Sequence, residues 1–236
     1  MSAAAGPALE AVLWDMDGTI VDTEPFWMEA EQALVGAHGG TWTAEQARSL
    51  VGNPLPVSAA FLQRDGGIDL PAGEIIDILQ AHVVNRVAEQ LPWRPGAREL
   101  LAELVEARVR CALVTMSWTP LAHAVLAHVP PDTFDVVVTG DQVDDGKPHP
   151  APYLRAIELL GTSPGRCVAI EDSTTGLASA EAAGVATIAI PHLVPIPDAA
   201  GRTKVASLRD VDLSLLLRVA AGPRPRGRRI RNVTTP

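Results

Sequence analysis

Short apolar runs without polar alternation recur along the chain, each handing over to a loop. They fall at 11–14 (AVLW), 109–114 (VRCALV), 135–138 (DVVV), 167–170 (CVAI) and 185–190 (VATIAI). Runs of this length and composition suit strands buried on both faces of a parallel sheet. Helical periodicity lies between the later runs. Residues 96–107 place Leu100, Leu101, Leu104 and Val105 on one face, and 150–160 and 175–183 read as further helices, the last capped by Ser173 or Thr174. Strand and helix in alternation predict an α/β fold, a doubly wound parallel sheet.

One interval breaks the rhythm. Almost a hundred residues separate the first and second runs, and most read as helix. A helix is expected over 25–38. Another over 43–51 opens with Thr43-x-x-Gln46, a capping box. The longest follows Pro71 over 72–91, with Ile75, Ile76, Leu79, Val83, Val84 and Val87 as its apolar stripe. A helical insert of this size exceeds an ordinary loop. The expected organisation is therefore an α/β catalytic core over 1–21 and 93–220, and a helical second domain over 22–92. Its hinges would lie near 22–25 and 91–96. Residues 221–236, rich in Pro, Gly and Arg, are expected to form a basic, disordered tail.

Charge narrows the possible partners. The chain of 236 residues carries 19 Lys+Arg against 28 Asp+Glu, a net −9. Five of the basic residues are arginines in the tail; setting them aside leaves 14 basic against 28 acidic side chains over 1–220, or −14. A body so acidic is not built to grip nucleic acid. Only two lysines occur, Lys147 and Lys204, so a lysine kept in a loop is worth following. Cys111 and Cys167 lie in apolar runs and read as buried free thiols. No signal-peptide pattern opens the chain and no apolar run reaches membrane-spanning length. The expectation is a cytoplasmic protein with no membrane association; its oligomeric state has no sequence signature.

Parallel α/β sheets hold their sites beyond the carboxyl ends of the strands. The first run delivers Asp15-Met16-Asp17-Gly18-Thr19, the second Thr115-Met116-Ser117, the third a loop to Gly146-Lys147-Pro148, and the fourth Glu171-Asp172-Ser173. Asp15 and Asp17 share a small volume and repel unless a cation or proton intervenes. With Asp172 and Glu171 they make an oxygen-rich site suited to Mg²⁺. Such a site could let Asp15 attack phosphorus. Lys147, Thr115 and Ser117 would hold the phosphoryl oxygens.

These motifs resemble the haloacid dehalogenase superfamily, and specifically its helical-cap phosphatase and β-phosphoglucomutase-like branch. Asp15-Met16-Asp17-Gly18-Thr19 is similar to the D-x-D-G-T motif, Thr115 to the second motif, Lys147 to the third, and Glu171-Asp172 to the fourth. The resemblance spans roughly 9–192. It implies Asp15 as nucleophile and Asp17 as general acid and then base, with its carbonyl also on Mg²⁺. It implies Asp172 as metal ligand, Glu171 as a ligand directly or through water, and the insert as a cap over a small phosphorylated substrate. Asp17 argues against dehalogenation, whose leaving group needs no proton. The lysine-free insert argues against phosphonatase chemistry.

The expected activity is a Mg²⁺-dependent phosphatase acting on a small phosphorylated metabolite, such as a sugar or polyol phosphate. Substrate contacts are expected from Trp27 near the first hinge and from Gly52 and Asn53 in the insert. The competing reading is a β-phosphoglucomutase-like transferase. Trp27 and Leu55 stand where that branch usually has a histidine and an arginine, which favours water as the acceptor. A non-catalytic interaction protein using its basic tail is the third reading.

Overall fold

The computed structural model describes residues 9–222 apart from Gly52. Its strands grow from the apolar runs: β1 (Ala11–Trp14), β2 (Arg110–Val114), β3 (Val136–Val138), β4 (Cys167–Glu171), β5 (Ala186–Ala189) and β6 (Arg202–Lys204). They form one sheet in the order β3-β2-β1-β4-β5-β6, and every pairing is parallel. The predicted α/β class holds, and the central strands are buried along their whole length, as expected for a sheet covered on both faces.

Helices α1 (Glu24–Ala37), α2 (Ala44–Leu50), α3 (Leu55–Gly66) and α4 (Ala72–Glu89) all lie between β1 and β2. They share a hydrophobic cluster that includes Leu34, Val35, Trp42, Leu62, Ile75 and Leu79. Thr43 caps α2, with both halves of the predicted box formed. The segment around Pro54 and Pro56, whose prolines also suit a loop, opens α3. Proline is tolerated there because the first-turn N–H groups of a helix have no intrahelical acceptor.

Helices α5 (Ala97–Glu106), α6 (Thr119–Leu126) and α9 (Leu213–Ala221) contribute to the cluster on one face of the sheet, and α7 (Ala151–Leu160) and α8 (Thr174–Ala182) to that on the other. Val83, Val87 and Leu91 also join the first of these clusters, so α4 ties the helical insert to the core. Ala221, assigned to the tail from sequence, closes α9. Of the expected tail, 223–236 lie outside the described residues. Both cysteines are buried and free, with burial pushing Cys111 up to about 12 and Cys167 up to about 11. No helix among the described residues is long and apolar enough to cross a membrane.

The chain leaves and re-enters the core at one place. Asp22 N–H donates to Pro92 O at 2.8 Å and Arg94 N–H to Ile20 O at 2.8 Å, around an antiparallel bridge between Val21 and Trp93.

Candidate active site

Register brings the strand ends together. Trp14 pairs with Leu113 on one side and Ile170 on the other, and the Asp15 N–H donates to Ile170 O at 3.1 Å. Asp15 therefore emerges between β2 and β4, beside Thr115 and Glu171. Beyond it, the N–H groups of Thr19, Ile20 and Val21 converge on Met16 O. Gly18 is required in this turn. Its φ is +83°, and a Cβ there would lie 2.0 Å from Asp172 Oδ2.

Lys147 reaches this point from the loop after β3. Its side chain is only 5% exposed, and its Nζ donates to Asp15 Oδ1 at 2.7 Å, Glu171 Oε1 at 2.7 Å and Val114 O at 2.9 Å. An ammonium has three protons, and all three are engaged. Lys147 is held well above its usual range because the two carboxylates outweigh the cost of its burial.

The four acids are in distinct environments. Asp15 is pushed up to about 7, by burial first and by Glu171 second, against the pull of Lys147. Asp172 is pushed up to about 9 by burial and by repulsion from Asp15 and Glu171. Among the described residues, Asp15 Oδ2 is buried with no hydrogen-bond partner. One oxygen from each of Asp15, Glu171 and Asp172 falls within a 4.8 Å cluster. Oxygen donors, an orphaned buried oxygen and two carboxylates resisting ionisation fit a small hard cation.

Glu171, one of the three carboxylates of that cluster, is engaged through both of its oxygens. It is fully buried, its Oε1 accepting from Lys147 and from Tyr153 Oη at 2.8 Å, and its Oε2 from Ser173 Oγ at 3.0 Å and Ser173 N–H at 3.3 Å. One of these donors is the Lys147 ammonium that also reaches Asp15. Ser173 also caps α8 through Gly176 N–H, as the sequence suggested.

Asp17 is the acceptor of a hydroxyl set. Thr23 Oγ1 donates to its Oδ1 at 2.5 Å; Ser117 Oγ at 2.7 Å and Thr115 Oγ1 at 3.3 Å donate to its Oδ2. Thr115 Oγ1 in turn accepts from Ser117 N–H at 3.0 Å.

The candidate substrate residues divide. Trp27 packs against both the core cluster and the insert cluster, and Trp118, from the loop after β2, packs against the insert cluster. Asn53 lies between α2 and α3, where its side chain donates to Ser49 O at 3.3 Å. Gly52 lies outside the described residues. Two residues escaped the sequence reading. Tyr153, the only tyrosine in the chain, is fully buried beneath Glu171. Glu24, the first residue of α1, is half-buried and pushed up to about 8 by burial and by Asp17, Glu31 and Asp22. The only sequence signals for them were the rarity of tyrosine and the position of Glu24 beside the first hinge.

Comparison with known proteins shows the family. Residues 12–190 match the model of a family described as haloacid dehalogenase-like hydrolase. The chain is 36% identical over 192 residues to a phosphorylated carbohydrates phosphatase of Thermotoga maritima, covering 76% of this chain and 84% of that protein. It is 31% identical over 222 residues to hexitol phosphatase B of Escherichia coli (strain K12), covering 89% and 94%. The crystal structure of CbbY from Rhodobacter sphaeroides in complex with xylulose-(1,5)bisphosphate superimposes with a TM-score of 0.79 at 31% identity, over 88% of this chain and 99% of that one.

Proposed function

The chain belongs to the haloacid dehalogenase-like hydrolases, in their β-phosphoglucomutase-like branch, and is a phosphoric monoester hydrolase; from that membership we propose that it uses Asp15 as nucleophile and Mg²⁺ as cofactor to dephosphorylate a sugar or polyol phosphate. The observation that carries the assignment is the state of Asp15. One of its oxygens is fixed by Lys147, and the other is buried without a partner at the end of the central strand.

Asp15 attacks phosphorus while the ester P–O bond breaks, and Asp17 passes a proton to the departing alcohol oxygen. The phosphoryl group is then carried on Asp15. Asp17 next takes a proton from water as that water attacks phosphorus, which releases inorganic phosphate and restores Asp15. Lys147 supplies fixed positive charge at the nucleophile, and Thr115 and Ser117 orient Asp17. Asp15 and Asp172, with the Asp17 carbonyl, would hold Mg²⁺. When bound, the ion offsets repulsion between the carboxylates and an incoming phosphate dianion.

The helices over 24–89 serve as a cap. Glu24, Trp27 and Trp118 stand where this layer meets the core. An apolar wall with a carboxyl group suits a polyhydroxylated substrate, whose ring or chain packs on aromatics while its hydroxyls find a polar partner. The names of the phosphatase relatives, which act on phosphorylated carbohydrates and hexitols, support the same class.

The test is phosphate release from a panel of sugar and polyol monophosphates in Mg²⁺, for the wild type and Asp15→Asn. Hydrolysis by the wild type and a loss of more than about 10³-fold in the variant is expected. Undiminished hydrolysis by Asp15→Asn would sink the nucleophile assignment. Isomerised sugar phosphate in place of free phosphate would move the reading to a mutase.

A further inference from the structure

We propose that Tyr153 is a positioning residue for Lys147, acting through the shared oxygen of Glu171. The proposal rests on the reading that Lys147 supports phosphoryl transfer at Asp15. With all three Lys147 protons committed, the division of its charge between Asp15 Oδ1 and Glu171 Oε1, each at 2.7 Å, decides how strongly it faces the nucleophile.

Glu171 cannot adjust that division by moving. Ser173 holds its other oxygen. Its carboxylate also fills the space over Gly176, where a Cβ would lie 1.7 Å from Oε1 and 2.0 Å from Cδ. What can change is the demand Oε1 makes on Lys147. The Tyr153 hydroxyl donates to that same oxygen at 2.8 Å and meets part of its hydrogen-bonding capacity. The tyrosine ring also lies 5.2 Å from Nζ, within range of a cation–π contact that steadies the ammonium from the side.

The tyrosine is itself immobile. It is fully buried on α7, in one cluster with Ala156, Ile157 and Leu160 on the sheet face. Without its hydroxyl, Oε1 would turn its full charge on Lys147 and draw the ammonium off Asp15. The buried phenol is held well above its usual range by burial and by Glu171, so it remains a donor.

The test uses Tyr153→Phe, which keeps the ring and its volume and removes only the hydroxyl. With p-nitrophenyl phosphate and Mg²⁺, kcat is expected to fall about tenfold with KM within about twofold. The thermal midpoint is expected to fall by a few degrees as the buried carboxylate loses a donor, so the kcat–KM split and the Lys147 position carry the test. Its crystal structure should show Lys147 Nζ farther from Asp15. In a Lys147→Met background the same change should add less than about a twofold further loss, since its effect runs through the lysine. 3-Fluorotyrosine, which can label this site alone because the chain has one tyrosine, retains the hydroxyl and should keep kcat near wild type.

An unchanged kcat with Lys147 still seated on Asp15 would overturn the proposal. So would an equal loss in both backgrounds, which would place the effect outside the lysine. Turnover that survives Asp15→Asn would instead defeat the broader mechanism, while the Lys147 position in the Tyr153→Phe structure would still decide this inference.

Discussion

Thr23 Oγ1 donates to Asp17 Oδ1 at 2.5 Å, joining the residue that precedes the first helix of the insert to the second carboxylate of the strand-end pair. The contact spans only six residues in sequence, but it connects the helical layer to the proposed general acid. Any movement of α1 relative to the core would therefore be felt at Asp17. Replacing Thr23 with Val removes the donor at nearly constant volume. Its kcat is expected to fall about tenfold, a fraction of the full contribution of a general acid. Steady-state kinetics with a good and a poor leaving group would check this, because the loss should be larger for the alkyl phosphate than for the aryl phosphate.

Gly176→Ala tests the seat of Glu171. The new methyl would have to expel the carboxylate it meets at 1.7 Å. A stability loss of about 1–3 kcal/mol is expected from the steric conflict, with a drop in kcat because Lys147 loses its anchor. Urea denaturation read alongside turnover would show both; a variant with wild-type values in each would contradict the tight packing.

A buried acid in the insert gives a pH prediction. Glu31 is 5% exposed, its carboxylate accepts from Trp42 Nε1–H at 3.0 Å, and burial pushes it up to about 7 despite that bond. In the unfolded chain it ionises in the ordinary carboxylate range. Between that range and about pH 7 the folded state therefore binds the extra proton, so stability is lost as pH rises through this window and levels off above it. Glu31→Gln removes the titration and keeps an acceptor for Trp42. Relative to wild type it should gain up to about 3 kcal/mol at pH 8 and little near pH 4. Paired melts at the two pH values would measure the difference.

At the strand ends, metal binding should depend on pH in the opposite sense. Asp15 is raised to about 7 and Asp172 to about 9, and each must ionise to hold a cation. Mg²⁺ affinity is expected to tighten as pH rises from 6 to 8, measured by calorimetry on the intact chain. Chelation by EDTA should reduce phosphate release at least 100-fold, and added Mg²⁺ should restore it.

The convergence of the strand-end motifs was legible because each follows a buried apolar run, and a parallel sheet places such positions side by side. The register of Trp14 against Leu113 and Ile170 realises that rule. Elements that lacked this pattern were missed. β6, with the sequence Arg-Thr-Lys, is an edge strand with no apolar run, and α3 is announced by two prolines that also suit a loop. The contact between Tyr153 and Glu171 was not legible either. It joins residues eighteen apart on different elements, and a lone buried tyrosine looks like any other core residue from sequence. Adjacent acids also hid a difference in surroundings. Asp172 stands over Gly18, whereas Glu171, the last residue of β4, faces Lys147 and Tyr153.

The paired crossings at Ile20–Arg94 and Asp22–Pro92 have a consequence for how such a protein can diversify. The departing and returning strands are already stitched to each other, so the stretch between them is attached to the sheet like a module on a closed socket. A lineage, or a designer, could exchange that stretch for one of different length without reopening the central strands. The residues proposed to break the phosphate ester would then stay with the sheet, while the proposed choice of molecule travelled with the graft.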